Sequence, residues 1–204
     1  MSLSSDWAQS QRNGWLCYLY GEDTGTGTKE LPAQSIQSQL VTILSNLIDK
    51  ELSPTECATK TAVLLRDESD FRGFCNNLWG MYFGAVEHFA SEDVLQALVY
   101  YIVALAQLPD AMNDGHDEGL WKDLPDFKLN LVERFQGPEQ YTRKHTSPAS
   151  PESAAATWLN MNVWTELMAR NEDAQEFGDL AGYAVLGLQT LIMALEHSPE
   201  TRRD

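Results

Sequence analysis

The chain has 204 residues, 30 acidic and 14 basic, for a formal net charge of −16. With 43% hydrophobic and 22% charged residues, it is composed as a soluble globular domain rather than a disordered or collagenous chain. The acid excess argues against nucleic acid or an anionic membrane as partner, because both need clustered Lys and Arg.

A chain of this length is expected to bury roughly 70% of its unfolded surface, enough for one core with a pocket inside it. Residues 1–31 read as an irregular N-terminal arm ahead of a helical domain at 32–204. Met1 to Asp6 lacks the positive start and apolar stretch of a secretory signal. Trp7, Trp15, Leu16, Tyr18 and Leu19 are groups that can dock the arm on the body. The stretch Gly21 to Thr28 reads as a flexible loop. Its order Gly27-Thr28-Lys29 breaks the phosphate-loop pattern, and no strand is expected before it.

From Pro32 onward the signals are helical. Ile36, Leu40, Ile43, Leu44, Leu47 and Ile48 recur at three- and four-residue steps and make one apolar stripe. Ser53-Pro54-Thr55-Glu56 supplies a cap, a first-turn proline and a carboxylate three residues past the cap. The helix it opens turns Cys57, Ala58, Thr61, Ala62 and Leu65 inward. Asp70 caps the next, whose stripe runs from Phe71 through Cys75, Trp79, Tyr82 and Val86 to Phe89. Ser91, with Glu92 and Asp93 behind it, opens a helix over Val94–Leu108 that is apolar almost all round, the mark of the central helix.

Residues 109–125 read as a loop, and a short helix follows with Phe127, Leu131, Val132 and Phe135, stopped by Gly137-Pro138. A second loop leads to a helix restarted at Ser150-Pro151 and carrying Trp158, Leu159, Asn162 and Thr165. A last helix is expected from about Ala174 to His197. No alternating strand pattern is visible. The fold expected is all-α: a compact single-domain bundle or short helical array of six to seven main helices. The longest apolar run, Ala97 to Ala106, is too short to span a bilayer, which takes about 20 helical residues. Three cysteines without CxxC spacing suggest neither a disulfide framework nor a zinc knuckle. The expected setting is the reduced cytoplasm, with Cys57 and Cys75 as small hydrophobes.

Two segments, Leu120-Trp121-Lys122-Asp123-Leu124-Pro125-Asp126-Phe127 and Trp158-Leu159-Asn160-Met161-Asn162, carry a resemblance. With the helices before them, they resemble a family of small all-helical fungal proteins catalogued as a domain of unknown function, over roughly residues 36–197. The resemblance implies an all-helical fold and a fungal source. Because such families often lie among genes of fungal secondary metabolism, it also points to a small-molecule role.

No high-specificity catalytic motif is present, and no cofactor or metal is expected. The cluster Asp114-Gly115-His116-Asp117-Glu118 has donors for a cation but departs from the EF-hand spacing and reads as a solvated acidic loop. Trp79, Trp121 and Trp158 offer aromatic area for an apolar ligand, or else fill the core. Trp121 also suits an anchor for its loop. Asn162, one turn past Trp158, places a carboxamide on an apolar face; Asn76 and Asn160 flank similar positions. Such an amide either meets a ligand or satisfies carbonyls at a neighbouring helix end. Tyr82 is a further hydrogen-bond donor, and His88 is a general base or a surface histidine at a helix end. Asp123 reads as a cap for a helix beginning near Pro125.

The functional expectation is a cofactor-independent enzyme or binding protein for an apolar small molecule. Cyclisation of the pericyclic, Diels–Alder type suits such a protein, because shape and hydrogen bonding suffice for it. In this reading Asn162, Tyr82 and His88 are the catalytic candidates, with Trp79, Trp121, Trp158 and Asn76 binding substrate. The alternative is a non-catalytic acidic helical module that meets other proteins.

Overall fold

In the computed structural model, residues 2–25, 27–109, 121–134 and 151–171 are described. The expected Ala174–His197 helix, the Asp114–Glu118 cluster and the helix stop at Gly137-Pro138 lie outside them. The described elements are α1 (Ser5–Asn13), α2 (Trp15–Tyr20), β1 (Glu22–Asp23), β2 (Lys29–Glu30), α3 (Ile36–Ile48), α4 (Pro54–Leu65), α5 (Phe71–His88), α6 (Glu92–Ala106), a 3-10 turn (Trp121–Asp123), α7 (Phe127–Arg134) and α8 (Pro151–Arg170). The fold is all-α, with one small hairpin among the described residues.

Local chemistry sets the helix starts. Before α4, Ser53 Oγ accepts from Glu56 N at 3.3 Å, and Glu56 Oε2 accepts from Ser53 N at 2.8 Å. This reciprocal capping box also holds the Glu56 carboxyl below its ordinary pKa. Asp70 caps α5 by accepting from Gly73 N at 3.2 Å. Ser91 stands at the cap position of α6 without a side-chain bond, so the start of α6 leans on Glu92 and Asp93 in its first turn. α7 begins at Phe127, later than the expected start near Pro125, because Leu124 and Asp126 adopt left-handed φ of 41° and 59°.

α6 packs against α3, α4, α5, α8 and the Trp121 turn. Beyond its first turn only Tyr100 and the C-terminal Gln107 cap are strongly exposed. Leu98 and Ile102 are fully buried, and the buried Thr61 and Tyr101 hydroxyls join α4 to α6 at 2.9 Å. Cys57 and Cys75 are buried and free, as expected of small hydrophobes.

The first thirty residues depart from the sequence reading. Residues 5–20 form two helices rather than an irregular arm, and Trp7 and Leu16 are in the core at 1% and 0% exposure. The cause lies on α5, one turn apart. A Cβ built at Gly80 would stand 3.3 Å from the Trp15 ring, and one at Gly84 would stand 3.4 Å from the Gln11 amide. Absent side chains at these two sites let α1 and α2 approach closely. Glu22–Asp23 pairs antiparallel with Lys29–Glu30, and Gly25 and Gly27 take positive φ in the turn. Strands of two residues are too short to show alternation.

Three outcomes follow from this packing. Leu98→Asp puts an unpaired charge at the centre and is expected to cost more than about 4 kcal/mol, read as loss of cooperative melting. Deleting residues 1–31 removes Trp7 and Leu16 from the core, so the truncated chain is expected to melt well below the parent. An unchanged melting temperature would show that the body folds without the arm. Burial raises the thiol pKa of Cys57 from 9.0 to about 11 and that of Cys75 from 9.0 to about 12, and it raises the Tyr82 and Tyr101 hydroxyls above 10.0. Groups whose folded pKa is raised stabilise fully below their unfolded values and lose that contribution as pH climbs. Melting temperature is therefore expected to fall between pH 9 and pH 12; a flat profile would place these groups in water.

Candidate functional site

α5 turns Trp79, Tyr82 and Phe83 to one side, and α7 and α8 bring Phe127 and Trp164 against them. Ring centroids lie 5.0 Å apart for Trp79–Phe127, 5.1 Å for Phe83–Phe127 and 6.1 Å for Tyr82–Trp164. Tyr82 is fully buried; its hydroxyl donates to the Leu98 carbonyl at 3.0 Å and accepts from Trp164 Nε1 at 2.8 Å. Its proton is committed to the fold. Trp79 Nε1 donates to the Pro125 carbonyl at 2.6 Å, pinning the turn between the two left-handed residues Leu124 and Asp126. Such a conformation costs roughly 1–2 kcal/mol per residue, which this buried bond helps offset. Trp121 is 1% exposed and meets Phe71 edge-on at 5.2 Å, anchoring its segment to α5. Trp79, Trp121 and Tyr82 with its hydroxyl therefore serve as core.

The remaining candidates separate. Asn76 is exposed and accepts from Asn130 Nδ2 at 2.9 Å, away from the rings. The buried amide is its neighbour Asn77, which accepts from Tyr20 Oη at 2.9 Å and ties α2 to α5. A one-residue step on a helix turns a side chain by about 100°, and the apolar stripe alone does not say which asparagine faces inward. Asn160 Nδ2 donates to the Glu87 carbonyl at 3.0 Å, satisfying an end of α5. His88 is exposed in the last turn of α5, edge-on to Phe89 at 4.7 Å. Asp123 is exposed, and α7 starts four residues beyond it.

Trp158 and Asn162 come together. Ala154, Trp158, Asn162 and Thr165 are buried along a second face of α8. On its first face Met161, Trp164, Leu167 and Met168 belong to the main core, which does not take in Ala154 or Trp158. Asn162 Nδ2 donates to the Trp158 carbonyl at 2.7 Å. That bond fixes the amide, because a flipped one would aim oxygen at oxygen. Asn162 Oδ1 then has no hydrogen-bond partner, and neither has Trp158 Nε1, although both atoms are buried. Each unpaired group costs about 1–3 kcal/mol. One acceptor and one donor are thus held a turn apart, with a Trp ring beside them.

Among the described residues, no group of three or more His, Cys, Asp or Glu side chains converges as for a metal ion. No helix among them is long and apolar enough to cross a membrane. A second feature, absent from the sequence reading, is a polar groove of about 520 Å³ between α1 and α3, lined by Arg12, Thr42, Ser45 and Asp49 among others. Its one sequence trace is the polar stripe Ser38, Thr42, Ser45 and Asp49 at four- and three-residue steps. Arg12 has no local signal, since its partners lie on another helix.

No curated protein matches the chain. No solved structure matches it either. A family model described as "Protein of unknown function (DUF3632)" matches residues 79–204. That span covers α6, α7, α8 and the α5 segment from Trp79 onward, and so takes in Tyr82, Trp121, Trp158 and Asn162. It is more than half of the chain, and the protein accordingly belongs to the DUF3632 family of proteins of unknown function.

Proposed function

We propose that the protein binds an apolar small molecule through a lactam-like edge at the Trp158–Asn162 face of α8. We further propose that it promotes cyclisation of that molecule without a cofactor, a pericyclic-type step of fungal secondary metabolism carried out in the cytoplasm. The observation that carries this reading is the pair of buried, unpaired atoms: Trp158 Nε1 as donor and Asn162 Oδ1 as acceptor. A cis-amide offers the complementary pair, its carbonyl taking the indole proton and its N–H giving to the carboxamide oxygen. Hydrogen-bonding the carbonyl withdraws electron density from a conjugated reacting system, and fixing the edge holds the chain near its reactive shape. The committed Tyr82 hydroxyl and the exposed His88 take no part, which leaves Trp158 Nε1 to polarise the carbonyl and Asn162 to hold the edge in place. The resemblance supports the fungal setting, and free Cys17, Cys57 and Cys75 support a reducing compartment.

The simplest probe is 2-pyridone, a flat ring with adjacent N–H and C=O, titrated by ligand-observed NMR. Asn162→Leu and Trp158→Phe each remove one polar atom while keeping most of the volume. Each is expected to weaken binding about tenfold, or ~1.4 kcal/mol, with melting close to that of the parent. Collapse of the fold in both would assign this face to the protein's own architecture. It would then favour the helical interaction module, which Tyr18 and Leu19, 79% and 57% exposed, support.

A further inference from the structure

The α1–α3 groove holds two opposite charges that do not meet. At one end Arg12 is half-buried. Its guanidinium donates to Thr42 Oγ1 at 2.9 Å and to Ser38 Oγ at 3.4 Å. Among the described residues it has no carboxylate partner. A desolvated guanidinium held only by hydroxyls leaves much of its planar donor fork unused. The same desolvation pulls its pKa below the ordinary 12.5, although an arginine stays charged at neutral pH.

At the other end stand Asp49 and Glu51. Asp49 accepts from Ser4 N at 2.9 Å and from Ser4 Oγ at 2.6 Å, and neither carboxylate has a cation partner among the described residues. Midway lies Ser45, whose hydroxyl is buried and without a hydrogen-bond partner. Thr42, where the guanidinium sits, and Asp49 are roughly 10 Å apart along α3 at about 1.5 Å per residue. Too distant to pair with each other, the two ends share one groove of about 520 Å³, a size that suits a small molecule.

We propose that this groove binds an extended zwitterion of about tripeptide length, its carboxylate on Arg12, its middle on Ser45 and its ammonium group facing Asp49 and Glu51. Three residues fully extended span roughly 10 Å, which matches the separation of the two ends. The guanidinium fork takes a carboxylate in bidentate fashion. A doubly charged phosphate is disfavoured by the two acidic groups in the same groove and by a chain of net charge −16. The polar walls favour a ligand that is itself rich in hydrogen-bonding groups. This site is independent of the α8 face.

Triglycine titrated into the full chain by calorimetry tests the assignment, with N-acetyltriglycine, triglycinamide and inorganic phosphate as controls. Triglycine is expected to bind about tenfold more tightly than either blocked form, since each lacks one charge-assisted contact. Arg12→Ala is expected to abolish the preference over triglycinamide. Ser45→Ala should weaken binding several-fold while melting like the parent, because the hydroxyl has no bond to lose. Glu51→Gln, a change at an exposed side chain, should reduce the advantage of triglycine over N-acetyltriglycine several-fold even if Arg12→Ala fails to fold. Absence of triglycine binding, equal affinity for the blocked forms, tighter binding of phosphate, or unchanged affinity in both Ser45→Ala and Glu51→Gln would each overturn the proposal.

Discussion

The Tyr82 hydroxyl is the point on which the helical packing turns. A buried hydroxyl has one proton to give, and leaving it unpaired costs about 1–3 kcal/mol. Here it gives that proton to the Leu98 carbonyl of α6 and takes one from the Trp164 indole of α8. Two hydrogen bonds therefore tie α5, α6 and α8 at one buried point. The rings of Phe83, Phe127 and Tyr101 surround the same point, with centroids 5.3, 6.0 and 6.2 Å from that of Tyr82. Sliding α8 by one residue would strand the Trp164 N–H and open the ring cluster together.

That constraint also decides what α8 does elsewhere. Successive residues advance by about 100° around a helix, so fixing Trp164 against Tyr82 turns Asn162 roughly 160° away. The second face of α8, with its unpaired indole N–H and carboxamide oxygen, thus follows from the interaction that completes the core. Polar groups at the core side of α8 are satisfied, and those on its second face keep unpaired atoms. The α1–α3 groove obeys the same logic with charge. Lys50 reaches Asp93 at 2.9 Å and Arg134 reaches Glu87 at 2.7 Å, while Arg12 is held by hydroxyls.

Much of the fold was legible because its signals are local. A capping box spans four residues, and an apolar stripe of period 3.6 needs only its own helix to be recognised. The Ser53–Glu56 box, the Asp70 cap and the buried α6 could therefore be read directly. The first thirty residues could not. Trp7 and Trp15 announced apolar groups, but Trp15 lies against Gly80 and Trp7 against Phe89, residues of α5 and its end that are far away in the chain. The amides divide the same way: the sequence placed an asparagine near each critical position, yet Asn76 faces water and Asn77 faces Tyr20.

The sequence by itself determined the helical class, the helix starts at α4 and α5, the central place of α6 and the concentration of aromatic area on α5 and α8. Those properties depend on backbone propensity and on apolar periodicity, which act within a few residues. Only the tertiary structure decided which polar atoms are spent and which are spare. Tyr82 and Trp79 are spent on Leu98, Trp164 and Pro125, whereas Trp158, Asn162 and Ser45 keep unpaired atoms. A hydrogen bond forms only between groups brought within about 3 Å, and for Tyr82 and Trp79 that distance is set by the packing of helices far apart in the chain.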